Sequence, residues 1–324
     1  MKNTALIWLS ALAAVFLGTQ QGAEAQNYPN RSIRVVVPYS PGGPTDVLAR
    51  LVGQKLSDNL GQSVVIENKP GASGVLGMEQ VARAQPDGYT VLINASLHVI
   101  VPSLNSKLTI DPIKDFTPVS QFGTVPLIMV VNKSVAANSA ADIVAYAKAN
   151  PGKLTFASSG VGASSHLAGE MLKTMAGIDM VHVPYKGSAP ALNDVIAGHV
   201  AMMIDTTPAS IGHVKAGNLK VLGVSAPKRL GVLPNVPTIA ESGVPGYNVQ
   251  SWYGVWMPAG TPKEIAKKLQ VEIAKILDQP DMQQKFRELG AEPNWSTPED
   301  FDAFTRSELV RWAEVVKASG AKAE

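Results

Sequence analysis

Val35-Val36-Val37-Pro38-Tyr39-Ser40-Pro41-Gly42-Gly43-Pro44-Thr45-Asp46 runs from an apolar strand, through a proline–glycine turn, into the start of an amphipathic helix. A strand that ends in a glycine turn at a helix N-terminus is a place to hold an anion. The free N–H groups of the first helical turn point at the ligand, and the helix dipole favours negative charge. No lysine, arginine, histidine or cysteine lies between Val35 and Asp46. The stretch therefore reads as a backbone cradle rather than a catalytic centre. A plain turn accounts for the same residues, with Asp46 bonding the amides of its own turn. If Gly43 supplies a positive φ, a β-branched residue there destroys the cradle.

Outward from this stretch the chain alternates between strands and helices. From Val47 to Leu60 apolar residues fall at 47, 48, 51, 52, 56 and 60, a helical spacing, and Gly61 stops the helix. Strands at Ser63–Glu67 and Tyr89–Asn94, with a helix from about Val75 to Ala84 between them, complete a βαβαβ unit and predict a parallel sheet. Thr117 to Asn132 carries a long strand signal split at Gly123 and Pro126, and Ser139 to Asp142 caps a helix. A second alternating run places strands at Leu154–Ala157, Met180–Val183, Val200–Ile204 and Leu219–Val224. Gln250–Met257 is a strand whose Trp252, Tyr253 and Trp256 suit core or hinge packing. Thr261-Pro262-Lys263-Glu264 reads as a capping box with proline at N1, opening the C-terminal helices. Two α/β blocks joined by strands near 121–130 and 249–257 predict a hinged, two-lobed α/β protein with a cleft between the lobes.

A chain of 324 residues suits about two domains, and 45% hydrophobic against 17% charged residues is enough to build their cores. With 28 basic and 26 acidic side chains there is no electrostatic case for nucleic acid, and 6% aromatics give no base-stacking platform. Lys2, the apolar run Ala5–Leu17 interrupted at Ser10, and Ala23-Glu24-Ala25 form a secretory signal peptide over 1–25. The run is shorter than the roughly 20 residues a bilayer span needs. The chain has no cysteine, hence no disulfide, thiolate metal site, cysteine nucleophile or lipid-attachment point. These features together fit the periplasm of a Gram-negative cell, reached through a cleaved signal peptide.

The usual chemistries are missing. Histidines at 98, 166, 182, 199 and 213 have no zinc-site spacing, and there is no nucleophile elbow, P-loop or dinucleotide fingerprint. A triad of Ser159, His166 and Asp205 can be drawn, but serines and a histidine at a loop-to-helix turn serve equally well as caps. No catalytic residue, metal or cofactor is assigned. Ligands of open α/β sheets sit outside the strand C-termini. There the chain offers Tyr39–Asp46, Asn94–His98, Ser158–His166, Tyr185–Ser188 and Asp205–Thr207, all small, polar or glycine-rich. Within the second of these, Ser96 and His98 are candidate contacts. Lys186 is the only fixed positive charge among these loops, and is equally an exposed lysine. Asp205 either caps the next helix or meets a ligand.

Pro38-Tyr39-Ser40-Pro41-Gly42-Gly43-Pro44-Thr45-Asp46 with Ala49-Arg50, and Glu67-Asn68-Lys69-Pro70-Gly71-Ala72, resemble the Bug-type solute receptors, the periplasmic binding components of tripartite tricarboxylate transporters. Pro86-Asp87-Gly88-Tyr89-Thr90, Ser158-Ser159-Gly160-Val161-Gly162, His182-Val183-Pro184-Tyr185-Lys186-Gly187 and Trp252-Tyr253-Gly254 are similar too. The resemblance implies a two-lobed, type II-like periplasmic-binding-protein fold. Lobe 1 is then 26–125 with 250–324, and lobe 2 is 126–249. It implies a solute-binding protein and no enzyme. The partners are a small organic acid (a di- or tricarboxylate, an aromatic acid or an amino acid) and membrane transporter subunits, with a monomeric receptor and no nucleic acid. One ligand carboxylate is expected against Tyr39, Ser40, Pro41, Gly42, Gly43, Thr45 and Asp46. Ser159, Gly162, Ser164, His166, Tyr185, Lys186 and Asp205 are expected from the second lobe. Ser73 and Ala157 stand where the family more often has glycine, and Val101 where asparagine is common before Pro102. Two other readings share the sequence: a solute sensor for a membrane kinase, and a hydrolase using Ser159 or Ser164.

Overall fold

The computed structural model describes residues 28–105 and 107–319, so the leader read at 1–25 lies outside the described residues. The first half is the expected βαβαβ unit: β1 (Ile33–Val37), α1 (Pro44–Leu60), β2 (Val64–Asn68), α2 (Val75–Ala82) and β3 (Thr90–Ala95). Both β2 and β3 run parallel to β1. The apolar run of β1 is buried on both faces: Val36 joins one core cluster, Val35 and Val37 another. That is the composition parallel strands need under helices on each side.

After α3 (Leu97–Leu104), β4 (Phe116–Asn132) is one 17-residue strand rather than the two segments expected. Register shifts between Pro118 and Ser120 and between Gln121 and Gly123 absorb the irregular residues. Pro126 sits where β4 exchanges partners. Phe116–Pro126 pairs antiparallel with β9 (Gln250–Pro258), and Leu127–Val131 pairs with β7 (Met202–Thr206). A residue with no N–H is tolerated where the ladder changes hands. Next to it, the Leu127 amide donates to Ser225 Oγ at 2.7 Å, and Thr207 Oγ1 donates to the Pro126 carbonyl at 2.7 Å.

The second half contains α4 (Ala140–Ala149), β5 (Leu154–Ser158), α5 (Ser164–Ala176), β6 (Met180–Pro184), α6 (Ser188–Ala197), β7, α7 (Thr207–Lys215) and β8 (Leu219–Val224). The capping box of α4 is present, Ser139 with Asp142. The sheet order is β2-β1-β3-β9-β4-β7-β5-β6, with β8 also on β4. The protein is thus two-lobed α/β, with β4 as the strand shared between the halves, while β9, expected to cross as well, pairs only with β3 and the first part of β4.

Helices α8 (Lys263–Leu277), α9 (Pro280–Glu288) and α10 (Pro298–Ser319) close the chain. Pro262 is the N-cap of α8 and not its first residue. Thr261 Oγ1 turns back to the Pro258 carbonyl at 2.8 Å instead of capping. α10 packs on α3, β4 and α5, so it reaches both halves. Its buried Glu308 accepts from Trp252 Nε1 at 2.8 Å and from Trp312 Nε1 at 2.9 Å. Trp252, Trp256 and Trp312 belong to a core cluster that also holds Leu92 from the first half and Phe156 from the second.

Candidate ligand-binding site

The turn after β1 is built from its glycines and one aspartate. Gly42 is the left-handed residue, at φ +78°, whereas Gly43 has φ −71° and ψ 164°. Pro44 explains the difference, because the residue before a proline is pushed to extended backbone. Gly43 is also the N-cap of α1 and provides no side-chain cap, which leaves the first amides of the helix for another acceptor. Asp46 is buried and accepts from the Gly42 amide at 2.8 Å, Arg50 Nε at 3.0 Å and Asn68 Nδ2 at 2.9 Å. Burial alone raises its pKa. The bonds from Arg50, Gly42 and Asn68 outweigh that and hold the carboxyl below the usual carboxylate range. Asp46 is therefore the internal tie of the cradle, its oxygens engaged by protein donors. Thr45 is buried beside it, and Ser40, Pro41 and Gly42 form the exposed tip.

The cradle is supported from behind. Gly74 approaches Pro38 and Tyr39, and Gly77 approaches Pro38. Ala72 and Ser73 take left-handed φ of 46° and 54°, which non-glycine residues adopt at a cost of about 1–2 kcal/mol each. Ser73 thus stands at a position whose backbone favours glycine.

Tyr39 donates its hydroxyl to Asn94 Oδ1 at 2.6 Å, which links the first loop to the end of β3. Ser96 is buried, its Oγ 3.4 Å from Ser251 Oγ on β9. His98, expected at the same loop as a contact, is a core residue instead. It is fully buried, stacked on Trp256 at a centroid distance of 4.0 Å, with Nε2 2.9 Å from the Pro112 carbonyl. Burial draws its pKa down to about 4, so the ring is neutral. As the second residue of α3, it lies on the face packed against β9. Val101 is buried in the same core.

In the second half the β5–α5 loop is closed on itself. The Ser159 amide and Oγ both lie 2.9 Å from Ser165 Oγ. The Gly162 amide donates to His166 Nδ1 at 3.0 Å. His166 stacks on His182 at 3.9 Å, and His182 Nε2 is 2.6 Å from Ser158 Oγ. Burial lowers His166 to about 3, helped by His182 and Lys173, and lowers His182 to about 4. The drawn triad is not assembled: Ser159 meets Ser165, His166 meets Gly162, and Asp205 meets Ser188. Ser164 opens α5, half-buried, with no side-chain hydrogen bond among the described residues. The Tyr185 hydroxyl donates to Asp194 Oδ2 at 2.6 Å. Burial and that carboxylate push the phenol up to about 12, so its hydroxyl is committed to α6. Lys186 is exposed.

Asp205, the penultimate residue of β7, is buried, with Oδ1 accepting from Ser188 Oγ at 3.1 Å. Its Oδ2, Thr206 Oγ1 and Ser210 Oγ are buried without a hydrogen-bond partner among the described residues. Tyr253, on β9, connects the two sides. Burial raises its phenol well above the usual range, a bond to Ser251 opposes this, and Asp205 and Tyr39 both add to it electrostatically. The halves also touch where Gly162 packs on Leu104 of α3, and where Gly290 packs on Thr207. The arrangement thus brings Tyr39, Asn94, Ser96, Ser251, Tyr253 and Asp205 into one polar seam. His98 reaches it only through Asn94, whose Nδ2 is 3.4 Å from His98 Nδ1, and Lys186 lies outside it. Tyr253 and Ser188 are additions to the sequence-based set. The signal for Tyr253 was strand alternation: Trp252 and Trp256 share one face of β9, and Tyr253 lies on the other.

Comparison with known proteins gives consistent matches. Residues 48–321 match the family described as the tripartite tricarboxylate transporter family receptor. Protein BugT of Bordetella pertussis is 36% identical over 324 residues, 99% of each chain. The solved structure of R. palustris Rpa4515 with adipate superposes with a TM-score of 0.89 at 41% identity, covering 91% of this chain and 99% of that one. The periplasmic binding protein BugD superposes with a TM-score of 0.85 at 37% identity, covering 92% of this chain and 100% of that one.

Proposed function

The chain belongs to the tripartite tricarboxylate transporter receptor family, and from that premise we propose that it captures a small carboxylated solute in the periplasm and delivers it to the membrane subunits of such a transporter. It is a solute-binding protein and not an enzyme. The observation that carries the carboxylate reading is the polar seam between the halves. On one side a glycine turn presents amides of an uncapped helix N-terminus. On the other, Asp205 Oδ2, Thr206 Oγ1 and Ser210 Oγ are buried and unpartnered. Buried polar groups are rarely left unpaired, because each costs about 1–3 kcal/mol. A solute with several oxygens supplies the missing partners. The adipate bound by Rpa4515, a dicarboxylate, is of that class.

In this reading lobe 1 is 26–125 with 250–324 and lobe 2 is 126–249; the change of strand partners at Pro126 supports the division. Tyr39, Ser40, Pro41, Gly42, Gly43 and Thr45 receive one carboxylate. Ser159, Gly162, Ser164 and Asp205 face it from lobe 2. Ligand contacts made only when the lobes are together shift the population toward the closed form. Residues 1–25 direct export. The test is thermal unfolding of the purified protein with adipate, malate, citrate, benzoate and glutamate. An acid at about 100 times its Kd adds roughly 2.7 kcal/mol. No stabilisation by any of them would refute the proposal.

A further inference from the structure

Asp205 is 1% exposed, and no cation among the described residues contributes to its ionisation. Its Oδ1 is held by Ser188 Oγ, the Thr206 amide also donates to the carboxyl, and Oδ2 has no partner among the described residues. The elements packed on β7 are β4, β5, α5, α6 and α7. β4 and β5 carry no titratable side chain. α5 carries His166, Glu170 and Lys173, α6 carries Asp194, and α7 carries His213 and Lys215 in its last turn. None of these contributes to the ionisation of Asp205, whose pKa burial pushes up to about 6. Among the described residues, the titratable group that interacts with it is Tyr253 of β9, a buried phenol that stays neutral. An acid drawn into this seam brings a second negative charge beside the first, and two carboxylates sharing one site do not both remain ionised.

We propose that Asp205 is protonated when the carboxylated solute is bound, and donates its Oδ2–H to a solute carboxylate oxygen, so that the cleft takes up one proton from solvent with each acid. Release of the acid returns that proton to solvent. This inference rests on the solute-binding reading and adds a pH dependence to it. Affinity is flat below the pKa of the free site. It falls about tenfold per pH unit above it, until the pKa of the complex is passed. A solute that presented a hydroxyl or ammonium hydrogen to an ionised Asp205 would give the opposite slope.

The experiment is calorimetric titration of the full mature protein with adipate, malate, citrate, benzoate and glutamate between pH 5.5 and 8. Wild type and Asp205→Asn are compared. The acid's own titration is common to both proteins and cancels in their ratio. Wild-type affinity is expected to weaken about tenfold per unit above about pH 6 relative to Asp205→Asn, whose amide donates at every pH. Wild type measured at pH 7 in two buffers of different ionisation enthalpy should take up about half to one proton per acid. That second measurement decides the matter even if the variant does not fold. Binding with a pH-independent ratio and no proton uptake overturns the inference and leaves the solute-binding reading intact. Absence of binding by every acid at every pH overturns both.

Discussion

Asn68 Nδ2 lies 2.9 Å from Asp46 Oδ1 and 3.0 Å from the carbonyl oxygen of Tyr39, so one amide joins the end of β2 to both ends of the anion cradle. Its Oδ1 in turn accepts from Arg50 NH2 at 2.9 Å, and Arg50 pairs with Asp46. Asn68→Ala leaves the Tyr39 carbonyl unpaired and lets the turn move. The expected cost is about 1–3 kcal/mol in denaturant unfolding. We also expect at least a tenfold loss, in calorimetry, of affinity for whichever acid stabilises the wild-type protein, although Asn68 touches no ligand in the proposed site. Unchanged affinity would mean that the cradle does not bind the acid.

The two glycines of the turn should behave differently. Gly42 has positive φ, with nothing within 4 Å of an added Cβ, so Gly42→Ala carries a purely conformational penalty of about 1–2 kcal/mol. Gly43 has an ordinary φ, and an added Cβ meets only the Ser40 carbonyl at 3.4 Å. Gly43→Ala should therefore fold and bind close to wild type, while Gly42→Ala weakens both. Equal effects in a side-by-side melt and titration would contradict this backbone assignment.

Much of this was written in the chain. The βαβαβ order, the buried β1 and the helix stop at Gly61 follow from local pattern, because spacing and turn residues report directly on backbone geometry. The positive φ considered for Gly43 falls instead at Gly42; the bias that Pro44 imposes on the residue before it is the local signal for the difference. Alternation along β9 separates Tyr253 from its tryptophan neighbours. His98 was not readable: whether a histidine near a strand end faces a cleft or a core depends on Trp256, 158 positions further along by number. The isolation of Asp205 is likewise a property of three-dimensional burial, not of any local motif.

Leu104 and Gly162 test the contact between the halves. An added Cβ at Gly162, which has φ +78°, runs into Leu104 Cδ1. Gly162→Ala should lower affinity for the acid that stabilises the wild-type protein by tenfold or more, because the loop and α3 no longer come together. Leu104→Ala is costly by itself, about 2–5 kcal/mol, but it removes the colliding atoms. The double variant should lose less affinity and stability than the sum of the singles, with a coupling of about 0.5–3 kcal/mol. Strict additivity would show that the two residues do not meet.

The stability of the unliganded protein should depend on pH with opposing contributions. His98, His166 and His182 have folded-state values near 4, 3 and 4, below the unfolded value of about 6.5. As pH falls from about 6.5 toward 4, the unfolded chain takes up protons that the native state refuses, so stability drops. Asp205 acts with the other sign. Its folded value near 6 exceeds the unfolded value of about 3.9, so the native state keeps a proton that the unfolded chain has lost. Its stabilising contribution is complete below about 3.9 and gone above about 6. Three histidines outweigh one carboxyl, and denaturant midpoints should rise between pH 4.5 and 6.5. Asp205→Asn removes the opposing contribution. It should be more stable than wild type at pH 7.5, by about 1–3 kcal/mol, and should lose that advantage near pH 4. A variant less stable than wild type at pH 7.5 would mean that the Asp205 carboxylate has a favourable partner in the folded protein.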